Sequence, residues 1–287
     1  MSSLRCGFIG LGAMGRPMAG HLAARGLLTV VGNRRVDKAE ALASELGVRA
    51  AHSEQDFADC DVVALCVTAD ADVLANVDAL AEVLRPGSVV IDHSTVSSTT
   101  AQSAAKRLAV KGIGFLDAPV SGGVEGAING KLSIMVGGSE SDLDKAQAAL
   151  QAYGLRITHM GEVGAGQATK AVNQVLVAGI AHAVSEGLAL GEKLGLDPER
   201  LLPTLGAGAA GSWFLEKRGP TMLRDEFKVG FKLALLHKDL KIVDAMAQAA
   251  GTRRDIIQKS LTDYAQLMEE GYGDDDISAL IRLKRRG

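Results

Sequence analysis

The chain is poor in aromatic residues and cysteine, and it contains no long uninterrupted apolar run. Aromatic residues make up 3% of the 287 positions, with a single tryptophan. Because no stretch of about 18 or more apolar residues occurs, the sequence predicts no membrane span. Cys6, Cys60 and Cys66 form no C-x-x-C pair, so we expect free thiols rather than disulfides. The first residues also lack the layout of a secretory signal, and we therefore expect a cytoplasmic protein.

The overall charge excludes further classes of protein. Hydrophobic residues account for 47% of the chain and charged residues for 23%, which is the balance of a soluble globular protein. The formal net charge of −3 argues against nucleic acid or an anionic membrane as the main partner. No cluster of histidine, cysteine and acidic residues has the spacing of metal ligands, so no metal site is predicted. What remains is a chain long enough for one large or two ordinary domains.

The most informative segment lies near the start, where an apolar run is followed by closely spaced glycines. Gly10, Gly12 and Gly15 fall at G-x-G-x-x-G spacing. Such glycines allow a tight turn, let backbone N–H groups approach a pyrophosphate, and let helix and strand pack closely. A helix that begins near Met14 would point its positive end at the phosphates. We expect a dinucleotide site at Gly10, Leu11, Gly12, Ala13, Met14 and Gly15; the alternative is a glycine-rich turn without a ligand.

The first half of the chain alternates apolar runs with helical periodicity. The runs have no helical period, which is typical of buried parallel strands, and lie at Thr29–Val31, Val62–Val67, Val89–Ile91, Ile113–Leu116 and Leu132–Val136. Helical stretches lie between them at Asp37–Leu46, Asp70–Leu84 and Ser97–Val110. This order predicts βα units and therefore a Rossmann-type, doubly wound α/β sheet.

The second half is predicted to be entirely helical. One apolar-rich stretch of helix formers runs from Gly166 to Leu194, with Gly195 as its C-cap. Further helices are expected from Asp197-Pro198 onward and at Phe231–Ala250, Arg254–Glu269 and Asp276–Leu283. We expect a dinucleotide-binding domain over residues 1–163 and an all-α domain for substrate binding and oligomerisation over residues 164–287, linked by the long helix. A helix that is apolar on most sides has to be buried, which predicts packing against its own domain and against a partner subunit.

Two arginines at the end of the second strand favour NADP as the cofactor. About 20 residues past the glycines, the sequence reads Gly32-Asn33-Arg34-Arg35, and no carboxylate occurs until Asp37. A carboxylate there would accept hydrogen bonds from the free ribose hydroxyls of NAD, whereas arginine accommodates a 2′-phosphate through its forked donors. Asn33, Arg34 and Arg35 are therefore predicted to bind NADP. NAD stays possible if one arginine stacks on adenine and the other is solvated.

The candidate for proton transfer is Lys170, which lies in the otherwise apolar start of the long helix. Asn173 and Gln174 follow three and four residues later, so they share its face of the helix. A lysine that is desolvated in a cleft has a lowered pKa and can act as a general acid and base near neutral pH. The residues alone allow a second interpretation equally well, in which the lysine extends from the first helical turns to solvent.

A third segment, which runs from Asp117 to Gly123, has the composition of an anion-binding loop. Ser121 is followed by Gly122 and Gly123, and successive glycines can aim backbone N–H groups at an anion. A substrate carboxylate suits such a loop. The alternative is a loop in which the glycines only allow positive φ angles.

Taken together, these segments resemble the β-hydroxyacid dehydrogenase family over nearly the whole chain. That family includes 3-hydroxyisobutyrate dehydrogenase, tartronate semialdehyde reductase, and the glyoxylate and succinic semialdehyde reductases. The resemblance is carried by ordered motifs in both halves: G-F-I-G-L-G-A-M-G-R-P-M-A at 7–19, D-H-S-T at 92–95, D-A-P-V-S-G-G at 117–123, G-K-L-S-I-M-V-G-G at 130–138, G-A-G-Q-A-T-K-A-V-N-Q at 164–174 and G-F-K-L-A-L-L-H-K-D-L at 230–240.

The resemblance implies roles for residues of the first half and the start of the long helix. It makes Lys170 the catalytic acid and base. It implies that Ser121 and Gly122, with Gly123 after them, hold the substrate carboxylate. Thr95 is implied to lie near both cofactor and substrate.

Other implied roles concern the amides after the lysine and two residues of the second half. One amide would help to position the reacting oxygen, and whether Asn173 or Gln174 does so stays open. Asp239 would line the active site, while Val67 and Lys238 are expected to contact the cofactor. Relatives with Asn-Arg after the second strand tend to prefer NADPH, and relatives commonly form dimers or tetramers, so we expect a homodimer or homotetramer.

The sequence thus predicts an oxidoreductase that transfers a hydride between NADP(H) and a short β-hydroxy acid or its semialdehyde, with Lys170 as general acid and base. Substrates of the 3-hydroxyisobutyrate, tartronate semialdehyde, glyoxylate or succinic semialdehyde type are expected. Two alternatives stay open. The chain could be an imine reductase, although relatives with that activity have other residues at the lysine position, or a non-catalytic NADP-binding module.

Overall fold

The computed structural model describes residues 4–286, and the chain divides into two units after Lys170. The first unit ends at Lys170 and the second begins at Ala171. A single helix of 29 residues starts at Ala165, in the first unit, and continues into the second.

A nine-stranded, largely parallel sheet forms the centre of the first unit. Its strands are β1 (Cys6–Ile9), β2 (Leu28–Gly32), β3 (Arg49–Ala50), β4 (Val62–Leu65), β5 (Val89–Asp92), β6 (Gly114–Asp117), β7 (Val120–Ser121), β8 (Leu132–Gly137) and β9 (Gly154–Gly161). They lie in the order β3-β2-β1-β4-β5-β6-β8-β7, with β9 paired to β8. The first six pair in parallel, whereas β8 runs antiparallel to β6 and β7. This is the strand order of dinucleotide-binding folds, so the predicted Rossmann-type sheet is confirmed.

Helices cover both faces of this sheet. They are α1 (Gly15–Ala24), α2 (Val36–Leu46), α3 (Asp70–Val83), α4 (Ser98–Ala109), α5 (Gly123–Ile128) and α6 (Glu140–Tyr153). Neighbouring residues of one strand enter different hydrophobic cores. Phe8 and Ile9 of β1 belong to opposite clusters, and Ala64 and Val63 of β4 divide in the same way. Because both faces are buried, these strands carry unbroken apolar runs rather than an alternating pattern.

Short and polar elements depart from the sequence prediction. The segment Ser121–Gly123, predicted as a loop, contains the end of the two-residue strand β7 and the first residue of α5. The strand β9 has no buried residue and lies beside β8, so it lacks the apolar run by which the other strands were predicted. The predicted helix at 276–283 divides into a 3-10 turn at Ile277–Leu280 and a single α-helical turn, Ile281–Lys284.

The second unit is helical, as predicted. It contains most of α7 (Ala165–Lys193), followed by α8 (Pro198–Gly206), α9 (Trp213–Leu223), α10 (Leu233–Ala249), α11 (Asp255–Glu269) and α12 (Ile281–Lys284). Gly195, with a φ of 70°, follows the end of α7 in the left-handed conformation of a C-cap glycine. The Asp197 side chain accepts a hydrogen bond from the Glu199 N–H and begins α8.

The helix α7 is less buried within one chain than its composition predicts. Its large exposed apolar residues recur along one face, at Val172, Leu176, Ile180, Leu190 and Leu194. By length and composition alone, it is the one helix in the described part of the chain that could cross a membrane, and 39% of its most apolar window is buried. The core helix of a soluble protein meets the same two criteria.

Candidate active site

The predicted site residues of the first unit follow strands whose carboxyl ends lie along one edge of the sheet. The strand β1 leads into the glycine loop, β2 into Asn33, β4 into Val67, β5 into Thr95, and β6 into the segment that contains Ser121. Open α/β sheets bind their ligands at this edge. The fold therefore brings these predicted residues to one edge, although they are spread over more than a hundred positions of the sequence.

The three glycines of the loop after β1 have different environments. Gly10 has a φ of 96° and lies against the Cys66 carbonyl, so a side chain there would collide with backbone. Gly15, the first residue of α1, faces the Gly10 carbonyl, and a side chain there would push the helix from the strand. At Gly12, no atom of the described residues other than the glycine and its two chain neighbours lies within 4 Å of where a side chain would begin. The loop is thus closed at two glycines and open at the third, as backbone approach to a pyrophosphate requires.

Asn33 connects the glycine loop to the end of β2. Its Oδ1 accepts a hydrogen bond from the Leu11 N–H (3.1 Å), and its Nδ2 donates to the Arg35 carbonyl (3.1 Å). This amide, together with the hydrogen bond from the Gly10 N–H to the Gly32 carbonyl (2.9 Å), holds the two segments predicted to bind the cofactor together.

Cations are exposed beside the glycine loop. Arg35 Nε lies 3.8 Å from Asp37 Oδ1, with both side chains more than half exposed. Arg34 is exposed, and within residues 4–286 it forms no ion pair. Lys38, which sequence reasoning missed, lines a groove of about 610 Å³ together with Gly12 and Ala13. Its position in the first turn of α2 resembles that of an ordinary solvated helix residue, so no sequence signal distinguished it.

A buried serine joins the loops after β4 and β5. Ser94 Oγ accepts a hydrogen bond from the Val67 N–H (2.9 Å), and the Ser94 N–H donates to Asp92 Oδ1 (2.9 Å). Asp92 is fully buried, and burial raises the pKa of its carboxyl to about 7, although the Ser94 hydrogen bonds oppose the rise. Its Oδ2 has no hydrogen-bond partner among the described residues. Val67 and Thr95 therefore lie on two loops that share one anchor.

A buried histidine fixes the segment after β6. His93 Nδ1 lies 2.7 Å from the Ala118 carbonyl oxygen, which can only accept, so Nδ1 carries the proton. Burial lowers the pKa of His93 to about 4, which leaves the ring neutral at physiological pH. Its Nε2 therefore accepts the hydrogen bond from the Tyr153 hydroxyl (2.8 Å). The Ala118 backbone that His93 holds lies two residues before Val120, whose carbonyl accepts a hydrogen bond from Lys170.

Asp117 caps the start of α7. Its Oδ1 accepts from the Gly164 N–H (2.7 Å) and its Oδ2 from the Gln167 N–H (2.8 Å), at the positive end of the helix. Burial raises the pKa of the Asp117 carboxyl, and these backbone hydrogen bonds oppose the rise. A side chain on Gly137 or Gly166 would collide with this arrangement. The glycines of the motifs around 137 and 166 thus allow the helix to start against β6.

Lys170 lies one turn further along α7 and is buried. The residue is 8% exposed, and its Nζ donates a hydrogen bond to the Val120 carbonyl (2.8 Å). Ser121 is the next residue, and Gly122 and Gly123 follow with φ angles of 128° and 61°. The interpretation in which the lysine extends to solvent is therefore wrong. Instead, its ammonium group lies beside the predicted carboxylate loop.

The predicted residues of the second unit form a chain of hydrogen bonds. Asn173 Nδ2 donates to Gln174 Oε1 (2.8 Å), and Gln174 Nε2 donates to Asp239 Oδ2 (2.8 Å). Lys238 Nζ lies 3.0 Å from Asp239 Oδ1. Gln174 is 1% exposed and Asp239 is 3% exposed, whereas Asn173 is partly exposed. Both the oxygen and the nitrogen of the Gln174 amide are therefore hydrogen-bonded within the protein.

The residues present fit a nicotinamide dinucleotide. The open space at Gly12 would admit the pyrophosphate to the N-terminus of α1, and the exposed cations after β2 lie on the neighbouring strand. In residues 4–286, no group of three or more His, Cys, Asp or Glu side chains could hold a metal ion. Fold and site together define an oxidoreductase that uses a nicotinamide cofactor.

Comparison with known proteins narrows this class to a family. Residues 5–161 match the NAD-binding domain model of 6-phosphogluconate dehydrogenase, and residues 164–284 match the model for the NAD-binding domain of NADP-dependent 3-hydroxyisobutyrate dehydrogenase. The chain belongs to the β-hydroxyacid dehydrogenase family and is an NAD(P)-dependent dehydrogenase of hydroxy acids.

Two relatives and one solved structure illustrate the similarity. The chain is 34% identical to 2-(hydroxymethyl)glutarate dehydrogenase of Eubacterium barkeri, over 98% of this chain and 95% of the relative. It is 33% identical to the NAD-dependent L-serine dehydrogenase of Pseudomonas aeruginosa, over 96% of each. The structure of Mycobacterium tuberculosis 3-hydroxyisobutyrate dehydrogenase with L-serine superposes with a TM-score of 0.90, at 32% identity over 99% of this chain and 100% of the other.

Proposed function

We propose that this protein reduces the semialdehyde of a short β-hydroxy acid, or oxidises that acid, with NADP(H) as cofactor and Lys170 as general acid and base. The observation that carries the proposal is the ammonium group of the buried residue Lys170, which lies 2.8 Å from the Val120 carbonyl, next to the Ser121–Gly123 segment. A cytoplasmic location stays part of the proposal, because all three cysteines are free.

Lys170 would handle the proton of the reaction. When bound, the nicotinamide supplies the hydride for reduction or takes it up in oxidation. Lys170 Nζ would donate a proton to the carbonyl oxygen as the alcohol forms, and would remove that proton in the opposite direction. The Val120 carbonyl directs the ammonium group, which has three N–H donors and can keep this hydrogen bond while it donates to the substrate oxygen.

The Ser121–Gly123 loop would hold the substrate carboxylate. The positive φ angles of Gly122 and Gly123 turn successive backbone N–H groups, and the Ser121 hydroxyl adds a donor. A carboxylate fixed there gives the reacting carbon one orientation next to Lys170, which is how positioning accelerates the reaction.

Asn173, rather than Gln174, would contact the substrate oxygen. Gln174 is buried and connects Asn173 to Asp239, so its amide is engaged within the protein. Asn173 is partly exposed and lies one helical turn after Lys170 on α7. Gln174 and Asp239 would then orient Asn173, with Lys238 balancing the charge of Asp239.

A steady-state panel tests the function. Glyoxylate and the tartronate, methylmalonate and succinate semialdehydes would be assayed for reduction, and serine and 3-hydroxyisobutyrate for oxidation, each with NADP(H) and NAD(H). We expect turnover of at least one of these compounds, with a higher kcat/KM for NADP(H) than for NAD(H). Turnover of ketone–amine pairs alone would instead favour an imine reductase. Tight NADPH binding without turnover of any compound would favour a non-catalytic module.

The exposed face of α7 supports a homo-oligomer. From Val172 to Leu194, five large apolar residues lie on one side of the helix over about 33 Å. A contiguous apolar surface of this length is typical of an interface between subunits. We propose that a second copy of the chain covers it, through a two-fold symmetric contact between α7 helices.

Charges on this face are expected to separate the subunits. Leu190 and Leu194, which are 59% and 65% exposed in one chain, lie far along α7 from Lys170. Changing both to glutamate should convert a dimer or tetramer into smaller species in sedimentation velocity, because buried carboxylates would have no partner. Leu155→Glu, at a residue 74% exposed on β9, is the matched control. A wild-type monomer at micromolar concentration, or binding of the wild type to lipid vesicles, would contradict the proposal.

A further inference from the structure

A glutamine at the start of α7 holds the loop after β5. Gln167 is 1% exposed. Its Nε2 donates to the Ser94 carbonyl (2.7 Å), and its Oε1 accepts from the Val96 N–H (3.2 Å). Because these two backbone groups flank Thr95, the side-chain amide pairs with the loop much as a neighbouring strand would. The backbone position of Thr95 is therefore set by α7.

The same glutamine is connected to the loop after β4. Ser94, whose carbonyl it binds, also accepts the Val67 N–H through Oγ (2.9 Å). A displacement of Ser94 would therefore displace Val67 as well. At its other end, Gln167 is anchored by its own N–H, which donates to Asp117 Oδ2 (2.8 Å).

Lys170 lies three residues after Gln167 on the same helix, a rise of about 4.5 Å. Its Nζ binds the Val120 carbonyl. One turn of α7 therefore connects the two loops predicted to contact the cofactor with the group predicted to transfer the proton.

We propose that Gln167 is a positioning residue, which fixes the loops of Val67 and Thr95 relative to Lys170. The inference rests on the proposed function, since it assigns those loops to the cofactor and Lys170 to the substrate oxygen. Hydride and proton reach adjacent atoms of one carbonyl group, so their donors must be placed together. A misplacement of about 1 Å can cost about 10²-fold in rate.

Glutamine suits this position because it donates and accepts in one plane. A glutamic acid at 167 keeps both hydrogen bonds while it is protonated, with O–H donating to Ser94 and C=O accepting from Val96. When it ionises, it has no donor and faces the Ser94 carbonyl with a negative charge. Burial and the neighbouring Asp117 carboxyl would raise the pKa of the new group.

The first test needs no cofactor. In the cofactor-free protein, Gln167→Ala should accelerate hydrogen exchange of the Val67 and Val96 N–H groups by about tenfold. The Val96 N–H loses its acceptor, and the Val67 N–H is bonded to Ser94, which loses the support of the Gln167 amide. Exchange in the distant helix α6 should be unchanged. Unchanged exchange at both amides would overturn the proposal without reference to activity.

The second test uses the pH dependence of Gln167→Glu. Its kcat should lie within about twofold of wild type at mildly acidic pH and fall to about 1% of wild type at alkaline pH. Gln151→Glu makes the same chemical change on the exposed side of α6, away from the loop after β5. The pH dependence of its kcat should match that of wild type. Because the acid form keeps both hydrogen bonds, this variant is expected to fold.

The outcomes distinguish a failure of this proposal from a failure of the proposed function on which it rests. If wild type converts no compound of the panel, the proposed function fails, whatever the exchange data show. If wild type is active but Gln167→Glu matches it at every pH, the positioning role alone is wrong. A loss of melting temperature with unchanged kcat would likewise assign Gln167 a purely structural role.

Discussion

Replacing Lys170 with alanine is expected to lower kcat by about 10²–10⁴-fold while the dissociation constant for NADPH changes little. Lys170 is 8% exposed, and its ammonium group donates to the Val120 carbonyl beside Ser121, so its loss removes the proton donor proposed for the reaction. The glycine loop and the cations that would bind the phosphates follow other strands, β1 and β2. Stopped-flow and steady-state rates, with cofactor binding followed by fluorescence, measure the two effects separately.

Three further measurements test whether Lys170 transfers the proton. Lys170→Arg keeps a cation and a donor for the Val120 carbonyl, but arginine does not release its proton, so turnover should fall as it does in Lys170→Ala. Small primary amines should restore part of the activity of Lys170→Ala only. Lys106→Ala, at an exposed lysine on α4, should be unaffected. A Lys170→Ala protein with more than about a tenth of wild-type kcat would remove the assigned role.

The parts of the site that could be predicted are those whose chemistry is local in sequence. The turn at Gly10, the open position at Gly12 and the close approach at Gly15 all arise within one loop, and the structure gives each glycine the environment that its spacing predicts. The strands could be predicted for a related reason, because burial on both faces leaves an apolar run in the sequence. The edge strand β9, which has no buried residue, carries no such signal.

The parts that could not be predicted depend on contacts between distant residues. Asp117 meets the start of α7 across 47 residues, and Gln167 meets Ser94 across 73. Asp117, Gln167 and Ser94 all lie inside motifs identified in the sequence. The spacing of these motifs does not distinguish a residue that binds a ligand from one that holds another segment of the chain. Sequence alone also left the role of Gln174 open; its contact with Asp239, 65 residues away, decides that its amide is engaged within the protein.

The same limit applies to Lys170. Its place in an apolar helix was compatible with a buried ammonium group and with one extended to solvent. The distinction depends on β7, a strand of two residues that the sequence did not predict, because the Val120 carbonyl on that strand accepts the hydrogen bond. A short strand with no periodicity of its own thus determines where the Lys170 side chain points.

Changing Arg34 to aspartate is expected to lower the ratio of kcat/KM for NADPH to that for NADH by about 10²-fold. Hydrogen bonds to a charged group contribute about 1.5–3 kcal/mol, and the new carboxylate adds repulsion of the 2′-phosphate while accepting hydrogen bonds from the ribose of NADH. Arg34 is the better candidate for the phosphate because Arg35 lies near Asp37. Arg35→Ala should therefore change the ratio less, and Lys38→Ala should raise KM for NADPH more than for NADH.

The control for this prediction separates a local contact from the general field of the protein. Arg25→Asp, at an exposed residue after α1, changes the net charge by the same amount and should leave the ratio unchanged. The effect of Arg34→Asp should also persist when salt is raised, because a direct contact is screened less than a distant charge. If Arg34→Asp leaves the ratio within about twofold of wild type, Arg34 does not bind the 2′-phosphate of NADPH. The predicted preference for NADP then has no basis in this segment.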